Sequence, residues 1–405
     1  MKAEDAQAMK ATAIAHGLDG TLVEPDWPPL TLSEVRALLA DFPGCGEPIE
    51  ILSVSPRPFS AASVVAVKNG RVFVKRHHRS VRDREGLLEE HRFMKYLREH
   101  GAPVPRVLAA TSGEAAIEGG TWTFEVHDVP LGVDLYEEAI SWTPFRSIAH
   151  ARSAGEALAR LHLASLGFDA PRRATQPLVA GFTIFAAEDP GAAMDRYLAA
   201  RPALAEDADT REGCCEALEL LSPFHAELRP RLPVLKPLWT HNDLHASNLL
   251  WSDASNDARA VAVIDFGLAD RTNAVHDLAH AIERNIVEWL DLIDDSTRGE
   301  GVRVHIDHLE AMLDGYEQVR PLTDEEAAAL TPMTALCHAE FALTEADYFL
   351  SVLHSKEKAR VASIDYLVGH ARWYRSAGGQ RLLDAISRWA EKRRRQAAPL
   401  VGAED

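Results

Sequence analysis

The chain has 405 residues, of which 46% are hydrophobic and 26% are charged. This length predicts two lobes or domains rather than one ordinary core, and the apolar content excludes a disordered or collagen-like chain. Acidic residues outnumber basic ones by 61 to 43, giving a formal charge of −18. This charge argues against a nucleic-acid-binding protein, whose contact surface is basic.

Cysteine use and hydropathy predict a cytoplasmic protein. The four cysteines form no CxxC pair, so neither a disulfide framework nor a cysteine zinc site is indicated. No run reaches the roughly 18 apolar residues that a membrane helix needs, and the first residues lack the continuous apolar segment of a signal peptide. We therefore expect no association with a membrane.

Strand patterns dominate the first third of the chain. Residues 1–46 are interpreted as an N-terminal extension, because closely spaced prolines interrupt any long element. Residues 49–54 are predicted as a strand, and the runs 64–67 and 72–75 flank an Asn-Gly pair, the strongest short-range signal of a β-hairpin with a type I′ turn. A charged amphipathic helix is predicted over residues 81–100, before further antiparallel strands.

The pattern changes after Asp134, where long Ala- and Leu-rich stretches typical of helices replace the strands. We therefore predict an α+β protein, with a small antiparallel-sheet lobe over residues 47–128 and a larger, mainly helical lobe over residues 129–390. The basic tail, residues 391–405, is interpreted as a solvated helix end.

The main chemical signal lies in the segment 241–248, His-Asn-Asp-Leu-His-Ala-Ser-Asn, followed by Asp-Phe-Gly at 265–267. Asp243 and Asn248 have the spacing of the base and the metal-binding Asn of a kinase catalytic loop. Asp265 ends an apolar strand and begins the Asp-Phe-Gly arrangement, whose Asp binds Mg²⁺ through hard oxygen ligands. Phosphoryl transfer needs these parts, because one carboxylate must orient the attacking hydroxyl while oxygen ligands hold the metal ion.

A lysine and an acidic helix lie upstream, as such a site requires. Lys75 ends the second arm of the hairpin and resembles the strand lysine that contacts the α- and β-phosphates. The helix that follows carries Glu85, Glu89 and Glu90 as candidate partners of Lys75. We favour Glu90, because it lies on the apolar stripe of the helix, and Glu89 is the second choice.

The loop before the hairpin contains no glycine-rich motif to cover the phosphates. Its small residues over 60–63, including Ser60 and Ser63, are the predicted substitute. Small residues let backbone amides approach a phosphate, and serine hydroxyls can donate hydrogen bonds to it.

Together these residues resemble the aminoglycoside phosphotransferase and choline kinase family, relatives of the protein kinases. The resemblance also includes Ala-Leu-Ala-Arg-Leu-His at 157–162 and Asp-Leu-Ala at 277–279, and it spans about residues 48 to 290. Residues 87–93 are in addition similar to the bacterial stress-response kinases of the same superfamily. The resemblance implies a protein-kinase-like fold of two lobes with nucleotide bound in the cleft.

The resemblance also implies the chemistry of the site. Asp243 is expected to be the catalytic base, Asn248 and Asp265 to bind Mg²⁺, and Lys75 to neutralise phosphate charge. The implied reaction moves the γ-phosphoryl group of ATP to a hydroxyl of a small-molecule acceptor, such as an aminoglycoside, an amino alcohol or a related metabolite.

Three further roles follow from the same resemblance. His241 is expected to brace the catalytic loop by hydrogen bonding, and Asp277 to steady the same loop. The backbone around Glu125 and His127 is expected to bind the adenine edge of ATP.

Two other functions remain open. The first is a stress-response-type protein Ser/Thr kinase, although no Ala-Pro-Glu motif follows Asp265, so the usual activation segment is missing. The second is a non-enzymatic pseudokinase that binds nucleotide, against which the presence of Lys75, Asp243, Asn248 and Asp265 argues.

Two weaker signals have structural interpretations. His276 and His280 lie one helical turn apart and allow a zinc site, but Asp follows the first His where a metalloprotease has Glu. Acidic and aromatic residues in the late helices, including Glu340 and Phe341, could bind a cationic ligand. Their helical spacing favours core and solvated positions, so none enters the predicted site.

Overall fold

The computed structural model describes residues 15–16, 22–174, 176–294 and 301–397. Most of the first 21 residues and the end of the predicted tail, residues 398–405, lie outside the described part. Among the described residues, no helix combines the length and the apolar character needed to cross a membrane.

The small lobe is a five-stranded antiparallel sheet with the spatial order β3-β4-β5-β7-β6. Its strands are β3 (Pro48–Val54), β4 (Ala61–Val67), β5 (Gly70–His78), β6 (Ile117–Gly119) and β7 (Trp122–Asp128). A two-stranded pair, β1 (Ala15–His16) and β2 (Leu22–Val23), precedes it. Strands β4 and β5 are largely buried, and apolar side chains of β4, β5 and β7 form the core of the small lobe.

The predicted hairpin is present, but its turn differs from the predicted one. Val67 pairs with Gly70, so Lys68 and Asn69 are the two turn residues. Neither has a positive φ, whereas Gly70 has a φ of +137° at the start of β5. The prediction of a type I′ turn at Asn-Gly was therefore wrong. Gly70 instead supplies a positive φ at the position that follows the two turn residues.

Two helices cover the sheet. The first, α1 (Leu32–Leu39), begins at a capping box formed by Thr31 and Glu34 and buries Val35 and Leu39 in the core of the small lobe. The second, α2 (Arg84–Glu99), is capped by Asp83 and is buried along one face. Part of the predicted extension therefore packs on the sheet.

The large lobe is mainly helical and confirms the α+β class. Its longer helices are α3 (Ile148–Ser165), α4 (Pro190–Ala199), α6 (Ala208–Leu228), α7 (Ala274–Ile286), α9 (Ile306–Val319), α10 (Asp324–Leu336), α11 (His338–Ser351) and α14 (Ala377–Ala397). Its shorter helices are α5 (Pro202–Glu206), α8 (Leu290–Asp294), α12 (Lys356–Arg360) and α13 (Gly369–Arg375), and a π-helix spans Val361–Val368.

Two short antiparallel strand pairs position the segments 241–248 and 265–267 in the large lobe. Strand β8 (Pro237–Thr240) pairs with β11 (Asp270–Asn273), and β9 (Leu249–Trp251) pairs with β10 (Ala260–Val263). The segment 241–248 therefore connects β8 to β9. Asp265 lies just after the end of β10. Both segments lie at the cleft between the lobes, facing Lys75 at the sheet.

Candidate active site

Asp277, at the first turn of α7, holds the backbone of the catalytic loop. Its carboxylate accepts hydrogen bonds from the amides of His241 at 2.9 Å and Asn242 at 2.8 Å, and from His162 at 3.0 Å. Asn242 has a φ of +61°, a left-handed conformation that Asn tolerates better than most residues. The loop is thus held in one conformation by a fully buried acid.

His241 connects the catalytic loop to the strand that leads to Asp265. Its Nε2 donates to the carbonyl of Ile264 at 2.9 Å, and its Nδ1 accepts from the amide of Asp243 at 3.3 Å. The two bonds define one tautomer, with the proton on Nε2. The contacts fit the bracing role that the resemblance implies for this residue.

Asp243 and Asn248 face the cleft from the same loop. The Asn248 side-chain amide donates to the Asp243 carbonyl at 2.8 Å, which leaves its side-chain oxygen as the atom suited to a cation. Desolvation raises the pKa of Asp243 to about 6, against the opposing effect of the nearby Arg284 guanidinium. A carboxylate with this pKa is ionised at neutral pH and can still accept a proton.

Lys75 reaches across the cleft to Asp265. Its Nζ lies 2.9 Å from the Asp265 Oδ1, and the two residues are 190 positions apart in the chain. Desolvation would raise the pKa of Asp265, but the charge and hydrogen bond of Lys75 hold that pKa well below its usual range. Burial would lower the pKa of Lys75, but Asp265, Glu125 and Glu90 together raise it.

The expected pair of Lys75 with Glu90 or Glu89 is replaced by the Lys75–Asp265 pair. Glu90 is buried beside Lys75, yet its closest cation is Arg173, whose Nη2 lies 3.9 Å away. Glu89 lies 3.5 Å from Nε of the same Arg173. Arg173, from the segment before α4, therefore lies beside Glu89 and Glu90 of α2. Lys75 pairs instead with Asp265, which follows β10.

Ser60 and Ser63 lie on the cleft side of the small lobe. Ser60 ends the loop between β3 and β4, whereas Ser63 is inside β4, where its hydroxyl is buried without a hydrogen-bond partner. The same loop also places Arg57 across the cleft. Its guanidinium donates to the hydroxyl of Ser247 and to the carbonyl of Ala139.

The backbone at 125–127 does not offer a free edge to adenine, contrary to the expectation. It belongs to β7, which pairs with β5 on one side. On the other side, the Val126 carbonyl accepts from Leu108 at 2.7 Å, and the Asp128 amide donates to Arg106 at 3.0 Å. The expected adenine edge lies inside β7, which continues to Asp128 and only then leaves the sheet.

The cleft contains two adjoining cavities that share Arg57, Lys75, Asn248 and Asp265. The outer cavity has apolar walls from both lobes and extends to residues 128–130, where the chain leaves the sheet. Its apolar walls include Leu52, Val54, Phe73, Leu250 and Ile264. The inner cavity contains Asp243 and His245.

The walls of the inner cavity were left out of the predicted site: Arg284 was not part of it, and the acidic and aromatic residues of the late helices were assigned to core and solvated positions. Arg284 on α7 lies 3.5 Å from Asp243, with its guanidinium 3.8 Å from the ring centre of Phe341 and 4.6 Å from that of Trp142. Glu345 lies one helical turn after Phe341 and lines the same cavity, and burial raises its pKa to about 8. Two spacings in the sequence could have indicated these residues. Arg284 lies two helical turns after Asp277, and Glu345 lies one turn after Phe341, so each pair shares one face of its helix.

The alternative zinc site at His276 and His280 gains no support. The two rings are buried with their centres 4.9 Å apart, packed among aromatic side chains. Within the described part of the chain, the one group of at least three His, Cys, Asp or Glu ligand atoms that converge within 4.8 Å is His91, Glu125 and His127.

This fold and this arrangement of a lysine, two aspartates and an asparagine define a kinase-like phosphotransferase. Residues 57–322 match the sequence model of the phosphotransferase enzyme family, APH. The chain belongs to this family, and the resemblance inferred from its motifs is confirmed.

Related sequences and structures agree with this membership. The chain is 27% identical over 291 residues to a homoserine kinase of Gluconacetobacter diazotrophicus, covering 70% of this chain and 76% of the relative. It is 26% identical over 317 residues to a homoserine kinase of Phenylobacterium zucineum, covering 78% and 84%.

Two solved structures share the fold at low sequence identity. A microcompartment-associated aminopropanol kinase is 19% identical with a TM-score of 0.56, covering 87% of this chain and 100% of that one. A choline/ethanolamine kinase family protein from Mesorhizobium loti is 16% identical with a TM-score of 0.52, covering 88% and 99%.

Proposed function

We propose that the protein transfers the γ-phosphoryl group of ATP, with Mg²⁺, to a hydroxyl of a small molecule, and that Asp243 orients and deprotonates this hydroxyl. The observation that carries the proposal is the position of Asp243. It lines the inner cavity together with Lys75, Asn248 and Asp265, and these three residues also line the outer cavity.

The residues present fit Mg²⁺ and ATP. The Asn248 side-chain oxygen and the Asp265 carboxylate are the hard oxygen ligands that Mg²⁺ prefers. The buried, unpartnered hydroxyl of Ser63 lines the outer cavity and is available to a phosphate oxygen. The apolar walls suit a nucleotide base, and the chain at 129–131, just after β7, replaces 125–127 as the proposed adenine edge.

Catalysis then rests on positioning and on charge. The metal ion, when bound, neutralises phosphate charge and orients the transferred group. Lys75 adds a second positive charge at the phosphates, and Asp243, ionised at neutral pH, accepts the hydroxyl proton at its carboxylate. No residue of the site needs to form a covalent intermediate.

The charges of the inner cavity favour an acceptor that carries an anion as well as a hydroxyl. Arg57 and Arg284 both line it. Among the described residues, Nε and Nη2 of the buried Arg284 guanidinium form no hydrogen bond, and their nearest carboxylates, Glu283 and Asp243, lie 3.7 and 3.5 Å away. Glu345, with a pKa near 8, is protonated at neutral pH and can donate a hydrogen bond. Hydroxy amino acids meet these conditions, and the curated relatives named above are homoserine kinases.

The test is ADP release from Mg·ATP by the purified protein, with homoserine, 3-amino-1-propanol, choline, an aminoglycoside and a generic protein substrate offered separately. We expect release with homoserine and its loss in the Asp243→Asn variant, which should still bind ATP. Release with the protein substrate, or self-labelling, would support the stress-response-type kinase. ATP binding without release in any arm would support the pseudokinase and contradict the proposal.

A further inference from the structure

Three histidines and one glutamate meet at the back of the outer cavity. His77 comes from β5, His91 from α2, and Glu125 and His127 from β7. All four side chains are buried, with at most 7% exposure for any residue. This cluster is separate from the Asn248 and Asp265 pair proposed to bind Mg²⁺.

The three imidazoles use the same ring nitrogen towards one carboxylate. The Nε2 atoms of His91 and His127 lie 2.8 and 2.9 Å from Oε2 of Glu125, and that of His77 lies 3.0 Å from Oε1. A carboxylate only accepts hydrogen bonds, so each Nε2 carries a proton in this arrangement. The ligand atoms of His91, Glu125 and His127 all lie within 4.8 Å of one another.

We propose that His91, Glu125 and His127 bind a zinc ion, and that His77, whose Nε2 contacts the other oxygen of Glu125, moves in as a fourth ligand. Imidazole nitrogen and carboxylate oxygen in fourfold coordination form a typical zinc donor set. Tetrahedral bonds of about 2.0–2.2 Å place the ligand atoms about 3.3–3.5 Å apart, so the nitrogen–oxygen contacts of 2.8 and 2.9 Å must lengthen, and the imidazole nitrogens, now within 4.8 Å of one another, must adjust to the same spacing.

Zinc binding does not require a proton to leave the cluster. When zinc takes Nε2 of a neutral imidazole, the proton of that ring moves to Nδ1, as it does in metal-bound histidines. Nδ1 of His91 is buried and has no hydrogen-bond partner in the described part of the chain, so no described neighbour holds this ring in its present tautomer. Lys75 lies opposite Glu125 in the pairing of β5 with β7. Its positive charge is already balanced by the ion pair with Asp265.

A zinc ion here would stabilise the small lobe next to the catalytic cleft. It would connect α2 to two strands of the sheet through His91, the neighbour of Glu90 in the chain. It would also hold Glu125 directly opposite Lys75 in the strand register. The ion would be structural, and its binding does not depend on the proposed reaction.

The test measures zinc bound per chain by inductively coupled plasma mass spectrometry, after incubation of the full-length protein with zinc and removal of the excess. We expect about one zinc per wild-type chain. We expect its loss in His91→Gln and in His127→Gln, and its retention in His100→Gln, a histidine exposed at the end of the same helix. Circular dichroism checks that each variant is folded.

A second arm separates this site from the Mg²⁺ site. Asp265→Asn should keep the zinc, and X-ray absorption should show nitrogen and oxygen ligands with several imidazoles. Absence of zinc from the wild type would overturn the proposal, and so would equal zinc in the folded His91→Gln and His127→Gln variants. Loss of zinc in Asp265→Asn alone would assign the ion to the catalytic cleft instead.

Discussion

Lys75 and Asp265 form an ion pair across the cleft, with 2.9 Å between Nζ and Oδ1. Lys75 lies within β5 of the small lobe, and Asp265 follows β10 of the large lobe. Because the phosphates of the nucleotide and its metal ion carry opposite charges, each residue can exchange this partner for one part of Mg·ATP. The ion pair therefore connects the two lobes in the absence of nucleotide.

Replacing Lys75 by Met should lower kcat by about 10²–10³-fold, the usual cost of removing one positioned charge from a phosphoryl-transfer site. The KM for ATP should rise as well, because we propose that the lysine contacts the bound nucleotide. Steady-state kinetics against ATP measures both effects. Lys68→Met, in the exposed turn of the same hairpin, is the matched control and should behave like wild type.

The activity should fall on the acid side with an apparent pKa near 6. As the proposed base, Asp243 can accept the hydroxyl proton only when it is ionised, and desolvation raises its pKa to about 6. The rate should therefore be full above this pH and decrease tenfold per pH unit below it. A pH profile of kcat/KM for the acceptor measures this limb, and a profile flat down to pH 4.5 would contradict the assignment of Asp243 as base.

Glu345 predicts a second limb near pH 8. Burial raises its pKa to about 8, so it is neutral at pH 7 and becomes an anion above pH 8. The ionised form would compete with an anionic acceptor for Arg284, so the acceptor KM should rise with pH. In Glu345→Gln this rise should disappear, whereas the exposed Glu357→Gln should retain it. The KM at pH 7 should change less than threefold in either variant.

Arg284 should distinguish acceptors by their carboxylate. Homoserine and 3-amino-1-propanol differ only in this group, so the ratio of their kcat/KM values reports what the carboxylate contributes. We expect Arg284→Gln to reduce that ratio by about 10–100-fold, the effect of losing one charge-assisted hydrogen bond. Because the ratio is taken within one enzyme, any general loss from the contact with Asp243 cancels. An unchanged ratio would show that Arg284 does not bind the carboxylate.

Gly155 should be essential for the packing of α3 against α9. A Cβ at this position would overlap the carbonyl of Met312 in the facing helix, and backbone cannot move aside as a side chain can. Gly155→Ala should therefore destabilise the protein by about 1–3 kcal/mol or more, as overpacking does. Urea unfolding measures the change. Gly44→Ala, where a Cβ meets no neighbouring atom, is the control and should change stability by less than about 0.5 kcal/mol.

The sequence was sufficient where the chemistry is local. Asp243 and Asn248 lie in one short loop, so their spacing alone brings them together, and the structure joins them by a 2.8 Å hydrogen bond. The amphipathic pattern predicted over 81–100 appears as the helix Arg84–Glu99, because its apolar stripe must be buried. The change from strand to helix patterns likewise predicted the α+β class correctly. The proposed lobe boundaries and the roles of the site residues stay predictions.

Only the tertiary structure decided which distant groups meet. Glu90 has the spacing of a lysine partner, yet Arg173 lies beside it, and Lys75 bonds to Asp265 instead. The edge of β7 is covered by residues 106–108, a contact that no local pattern specifies, so the backbone at 125–127 is not free for the adenine edge. Spacing along a chain determines contacts within an element or a loop. Contacts between elements depend on how the elements pack, and that depends on the burial of the whole core.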